Sequence, residues 1–259
     1  MKVLALSPHL DDAVFSCGAT LARLAGRGAH VMLVTAFTRS MPNPDGFALA
    51  CQTDKGLAPD IDYMAMRRAE DRRAAHILGI AEVLHLDLPE APHRGYLSTR
   101  ELFGPLRRED DVEVALRQRL VELGQTDLVL APRGLGDHVD HRQLVNAVAS
   151  AWPCRTRSYR DIPYALRLAR PERDDDCPVD VAQLLGLKLD ACAAYATQLE
   201  FQFGGEAAMR HALSDFAARE GRRLGVKGQV EALSPLAVVA ADDRARPVAA
   251  DSRAIQLRD

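Results

Sequence analysis

Apolar positions along the 259-residue chain follow two rhythms. Residues 3–6 (VLAL) form a short unbroken apolar run that ends in Ser7-Pro8-His9, the pattern of a strand buried on both faces. Residues 12–27 then change to a helical period, with Val14, Cys17, Leu21, Leu24 and Ala25 on one face, and Gly28 closes the helix. Residues 30–37 (HVMLVTAF) are a second buried strand. Strand, helix and strand at this spacing predict a right-handed βαβ unit in a parallel sheet.

The same alternation continues. Residues 38–63 hold Pro42, Pro44, Gly46, Gly56 and Pro59 and read as a long irregular loop, of the kind that often carries function. A charged amphipathic helix over 63–79 leads into a third strand at 82–86. A second loop, 89–107, precedes a helix over 110–124 and a fourth strand at 127–131. After Gly134-Leu135-Gly136-Asp137-His138-Val139-Asp140-His141 a helix runs to about 151, and 156–160 is a further strand. Residues 180–198 and 206–220 read as helices, and the tail from 241 is polar and irregular. The expected fold is α/β, a Rossmann-like three-layer sandwich with a mainly parallel sheet. Its active site should lie at the C-terminal ends of the strands. One domain over 1–240, with its motifs in 1–150, and a tail at 241–259 account for the chain.

Composition narrows the function classes. Hydrophobic residues at 47% and charged residues at 27% allow a sizeable core. The net charge of −3 lacks the basic excess of nucleic-acid binders, and in Arg67-Arg68-Ala69-Glu70-Asp71-Arg72-Arg73 the interleaved signs read mostly as a solvated helix face. Five cysteines, an odd number without a CxxC pair, argue against a disulfide framework and for reduced thiols in the cytoplasm. The N-terminal apolar run is broken by Pro8, His9, Asp11 and Asp12, so it is not a signal peptide, and no segment is suited to span a membrane. A small-molecule substrate is the expected partner, and homo-oligomerisation stays open.

Two clusters of acids and histidines follow directly on predicted strands: His9, Asp11 and Asp12 after the first, and His138, Asp140 and His141 after the fourth. Ligands of open α/β sheets bind at such strand ends. His9 and Asp12, three apart at a helix start, can face one point. With His141 they make two histidines and one carboxylate, a common catalytic zinc set with an open position. Asp11 is placed as a general base on water activated by the metal, and His138 as an acid or an oxyanion donor. Asp140 is placed to hold a histidine in its working tautomer. The plainer reading makes Asp11 or Asp12 an N-cap of the first helix, and Asp137 or Asp140 an N-cap of the later one. Convergence of both clusters on one sheet edge favours chemistry. His30, His76, His85 and His211 lack partners at readable spacing and read as structural. Cys17 reads as packing, as do Tyr195 and Gln198, and His93 and Arg94 lie on a loop that can line the pocket.

These segments resemble a known family. SPHLDDAVFSCGATLARL is similar to the AHPDDExxxxGGTLA segment of the PIG-L/LmbE-like deacetylases, and GDHVDHRQL to their HxDH motif. MRRAEDRRAAHILGI resembles their RxxE helix, and LHLDLPEAP the strand and loop after it. The resemblance covers about residues 1–150, with a weaker match near 188–198. It implies a zinc-dependent N-deacetylase acting on N-acetylglucosamine-type amides, with one ion held by His9, Asp12 and His141. It also implies Asp11 as base, His138 as oxyanion stabiliser or acid, and a substrate contact from Arg67. Leu10, Ala13 and Ala19 depart from the family pattern, as does Glu90 where Asp is usual.

Zinc and iron(II) are not separated by such a donor set. Two other readings remain: a metal-dependent esterase or phosphoesterase on the same site, and a non-enzymatic nucleotide-binding module. The latter is disfavoured by two carboxylates where a pyrophosphate would sit.

Overall fold

The computed structural model describes residues 1–152, 155–167 and 175–236; the predicted tail from 241 lies outside them. In chain order the elements are β1 (Lys2–Ser7), α1 (Asp12–Gly26), β2 (His30–Phe37), α2 (Gly46–Thr53), α3 (Tyr63–Ile77), β3 (Glu82–Leu88), α4 (Thr99–Leu102), α5 (Val112–Glu122), β4 (Leu128–Pro132), α6 (Val139–Ala151), β5 (Thr156–Tyr159), α7 (Tyr164–Arg167), β6 (Cys177–Asp180), α8 (Leu185–Ala193), α9 (Ala196–Phe203), α10 (Glu206–Arg223) and β7 (Val230–Pro235).

The strand order is β3-β2-β1-β4-β5-β7-β6. β1 pairs in parallel with β2 on one side and β4 on the other, β2 with β3, and β4 with β5. β7 is antiparallel to both β5 and β6. Side-chain alternation along β1 feeds two cores. Val3 and Ala5 face α1, α3, α8, α9 and α10, while Leu4 and Leu6 face α5 and α6. This is the expected three-layer α/β sandwich. The chain leaves β1 toward β2 and returns on the opposite side to β4, so the sheet's topological switch lies between β1 and β4.

Several expectations are corrected. Loop 38–63 contains α2, and the stretch read as one helix over 180–198 starts at the last residue of the short strand β6 and holds α8 and the start of α9. β7 gave no readable signal. The charged stretch on α3 is not simply a solvated face: Arg67, Glu70 and Asp71 are buried. His85 is not partnerless, since its Nε2 lies 2.9 Å from Asp71 Oδ2. No helix among the described residues is long and apolar enough to cross a membrane.

α1 bends at Cys17, where φ is −137° and ψ 24°. The freed amides of Ala19 and Thr20 donate to the Glu231 carboxylate, brought by β7, at 3.2 and 2.7 Å. Lys188 Nζ lies 2.7 Å from Glu231 and balances its charge. The antiparallel strand therefore supplies the cap that the second half of α1 requires.

Candidate metal centre

β1 and β4 end side by side at the switch, and each releases one acid/histidine cluster there. Ser7 closes β1 and shapes the first turn: its hydroxyl donates to His9 O at 2.6 Å and accepts from Ala13 N–H at 3.0 Å. Ser7 thus satisfies a free amide at the start of α1, and Asp11, at the N-cap position, makes no capping bond with its side chain. On the other strand, the loop after β4 runs through left-handed residues Gly134, Gly136 and Asp137. A Cβ at residue 136 would lie 2.4 Å from the Tyr164 ring, so glycine lets the loop press against that ring. The N-cap of α6 is His138 rather than Asp137 or Asp140: its Nδ1 accepts from Asp140 N–H at 3.2 Å.

His9, Asp12 and His141 meet. Asp12 Oδ2 is 3.1 Å from His9 Nδ1 and 3.3 Å from His141 Nε2, and one donor atom from each residue lies within 4.8 Å of the others. Each histidine has a carboxylate behind it. His9 Nε2 is 3.0 Å from Asp140 Oδ2, and His141 Nδ1 is 2.7 Å from Asp161 Oδ1. That leaves His9 Nδ1 and His141 Nε2 turned to the shared point. His141 Nε2 is buried and has no hydrogen-bond partner, the state expected of a nitrogen reserved for a cation. The residues present therefore fit a tetrahedral ion with one open position.

His9, His138 and Asp140 also approach one another within 4.8 Å. That second group is already occupied by its own bonds. Asp140 Oδ1 accepts from Arg94 at 2.7 Å, Oδ2 accepts from Ala91 N–H at 3.1 Å, and His138 Nδ1 holds a backbone amide. A cation there would face the Arg94 guanidinium, so the first group is the better site.

The charges follow from these contacts. Burial pushes the Asp11 carboxyl up to about 7, with Arg67 pulling in the opposite direction. Burial also raises Asp12, but His141 and His9 outweigh it and hold that carboxyl well below the usual range. Burial alone would lower His141; Asp12 and Asp161 overcome it and raise the ring to about 9. The same negative surroundings would favour a cation. His138 behaves oppositely: burial lowers it to about 3, and its ring stays neutral with the proton on Nε2.

Asp11 lies beside the triad, its carboxylate met by side chains of α3 and α9 and making no capping bond. Arg67 Nη2 is 3.5 Å from Asp11 Oδ2, and Arg67 Nη1 donates to Glu90 at 3.0 Å. Gln202 Nε2 donates to Asp11 Oδ2 at 2.8 Å. Phe103 packs edge-on to His138, with centroids 5.3 Å apart, and Tyr164 edge-on to His141 at 5.4 Å. Three supports were not read from the sequence: Asp161, Gln202 and the Arg94 bridge to Asp140. Asp161 also accepts the backbone N–H groups of Arg133, Gly134 and Leu135 at 2.9–3.2 Å, tying the loop to the histidine it orients. An aspartate at the end of a fifth strand was the only signal that could have pointed to it.

Residues 4–152 match the family described as GlcNAc-PI de-N-acetylase, PIG-L. A Streptomyces fradiae protein named 2'-N-acetylparomamine deacetylase is 37% identical over 171 residues, which are 63% of this chain and 58% of that protein. The chain thus spans less than two thirds of that relative's length. Among solved structures, the zinc inhibited form of teicoplanin deacetylase Orf2 superposes with a TM-score of 0.76 and 26% identity, covering 94% of this chain and 100% of that one. The A40926 pseudoaglycone deacetylase Dbv21 gives 0.75 and 28%, covering 93% and 98%. With a match that spans more than half of its residues, this chain belongs to the PIG-L family.

Proposed function

We propose that the protein is a metal-dependent N-deacetylase that hydrolyses the acetamide of an N-acetylated amino sugar or sugar conjugate, releasing acetate and a free amine. The observation that carries this reading is the convergence of His9, Asp12 and His141 on one point, with the buried Nε2 of His141 unpartnered and Asp11 alongside. The names of the relatives, deacetylases of 2'-N-acetylparomamine, of teicoplanin and of A40926 pseudoaglycone, support the substrate class. The ion we assign is one zinc per chain, and iron(II) suits the same donors. When bound, such an ion supplies Lewis acidity, polarising the amide carbonyl and lowering the pKa of water.

The chain's own residues supply the rest. Asp11, ionised and held by Arg67 and Gln202, takes the proton of the attacking water. As the new C–O bond forms, His138 donates its Nε2 proton in a hydrogen bond to the carbonyl oxygen, which gains negative charge. A ring kept neutral at pH 7 suits this donor role better than that of an acid. Asp11 then returns its proton to the nitrogen as the C–N bond breaks. Asp140 and Asp161 hold His9 and His141 in orientation, and Arg94 balances Asp140. Arg67, which the family resemblance places on the substrate, is 5% exposed here and bonds Glu90; it serves Asp11 first and meets substrate at the edge of the site. We infer one catalytic domain, since α9 brings Gln202 to a site made by β1 and β4, and place it in a reducing compartment such as the cytoplasm.

The test is acetate release from N-acetylglucosamine conjugates and from 2'-N-acetylparomamine by the zinc-loaded protein. We expect release that a chelator abolishes and added zinc restores. Release unaffected by complete removal of metal would overturn the mechanism, and no release from any member of the panel would overturn the substrate class.

A further inference from the structure

Gln202 projects from α9, an element with no part in either motif cluster. Its Nε2 donates to Asp11 Oδ2 at 2.8 Å, while its Oε1 is buried and has no hydrogen-bond partner. With Asp11 Oδ2 as the acceptor at 2.8 Å, turning the amide over would set two oxygens face to face, so this contact fixes Nε2 toward Asp11 and leaves Oε1 on the other side. The carbonyl oxygen shares a carbon with that nitrogen and so lies within about 5 Å of the Asp11 carboxylate. A buried acceptor left unsatisfied carries a desolvation cost, and a substrate N–H would relieve it.

The helix is placed for this by its own contacts. Thr197 N–H and Thr197 Oγ1 donate to Glu70 at 2.9 and 2.7 Å, fastening the first turn of α9 to α3. Gln198 Nε2 donates to Tyr63 OH at 2.9 Å. Arg67, the other group on Asp11, lies on the same α3. One helix therefore carries Arg67 to Asp11 and also anchors the helix that carries Gln202.

We propose that Gln202 has two roles: its Nε2 orients Asp11, and its Oε1 accepts the N–H of the substrate's amide, selecting an N-acyl over an O-acyl group. This rests on the deacetylase reading, and the test separates the two. Acetate release is compared for wild type, Gln202→Leu and Gln202→Asn, all zinc-loaded, on an N-acetyl sugar and its O-acetyl analogue, with metal content and Tm measured in parallel. Binding without turnover is read by calorimetry with the methanesulfonamide of glucosamine, which keeps the N–H, and with the sulfone in which CH2 replaces it.

The expected result for Gln202→Leu is a loss of about 100-fold in kcat/KM on the amide and about tenfold on the ester, with metal content unchanged. Its sulfonamide affinity falls about tenfold while its sulfone affinity holds, and Gln202→Asn recovers part of both losses. Equal losses on amide and ester, with no selective loss of sulfonamide binding, overturn the substrate contact. Wild-type kinetics in Gln202→Leu overturn both roles. If wild type binds the sulfonamide through Gln202 but releases no acetate, the deacetylase reading fails and the contact stands. If wild type binds neither ligand and releases no acetate, both fail; if it releases acetate but binds the sulfonamide no better than the sulfone, the contact fails and the deacetylase reading stands.

Discussion

The two halves of the sheet contribute in different ways. β1 and β4, with the helices they enter, carry all three candidate ligands in two short contiguous segments. The half from β5 onward carries no ligand of that triad, yet supplies the groups that hold it: Asp161 behind His141, Gln202 on Asp11, and Glu231 capping the bend in α1. The first half places donors by backbone spacing; the second aims them through single long-range contacts. The lesson is that ligand identity and ligand orientation come from separate parts of the chain, and substitutions in each should fail differently.

The largest effect belongs to the first half. His141→Ala should lose both stoichiometric metal and activity, by at least about a thousandfold, because several kcal/mol of charge stabilisation vanish with the ion. Metal analysis beside acetate-release kinetics checks it, and full metal content in this variant would show that His141 is not a ligand.

Next comes folding in the second half. Lys188 and Glu231 are each 4% exposed and pair at 2.7 Å. Lys188→Met leaves a buried carboxylate without its cation, which costs about 3–5 kcal/mol. Tm should drop by roughly 10 °C, and Glu231→Gln added to Lys188→Met should restore part of it. Calorimetric melting measures both, and a Tm within a degree of wild type would show that the pair contributes nothing.

Asp161→Asn should weaken metal binding about 10–100-fold without unfolding the protein. Competition with a chromophoric chelator reads this directly. Loss of fold without loss of affinity would make Asp161 a loop anchor only.

The smallest effect is on pH. As the base we propose, Asp11 would work ionised, so kcat/KM should rise with pH through an acid limb at or below about pH 7. Arg67 and Gln202 both favour the ionised form, so Arg67→Met and, less strongly, Gln202→Leu should move that limb to higher pH. A shift to lower pH would contradict the assignment of the base.

This contrast also explains what could be read in advance. The βαβ start and the parallel strands were legible because unbroken apolar runs such as VLAL alternate with helical periods. The ligands were legible because His9 and Asp12, like His138 and His141, sit within four residues at strand ends. β7 was not, since its antiparallel pairing follows from where α10 ends rather than from a strong pattern in VEALSP. Asp161 and Gln202 were hidden for a related reason. Each touches its target across 20 and 191 residues of sequence, and no local spacing marks such a meeting. The burial of Arg67, Glu70 and Asp71 was masked by the exposed arginines between and beside them.

The central claim is the position of the ion. Anomalous diffraction at the zinc edge, from crystals of zinc-loaded protein, tests it most directly. We expect one peak per chain, within about 2.0–2.2 Å of His9 Nδ1, His141 Nε2 and an Asp12 oxygen. A sole peak between His138 and Asp140, or none at full zinc occupancy elsewhere, would contradict it.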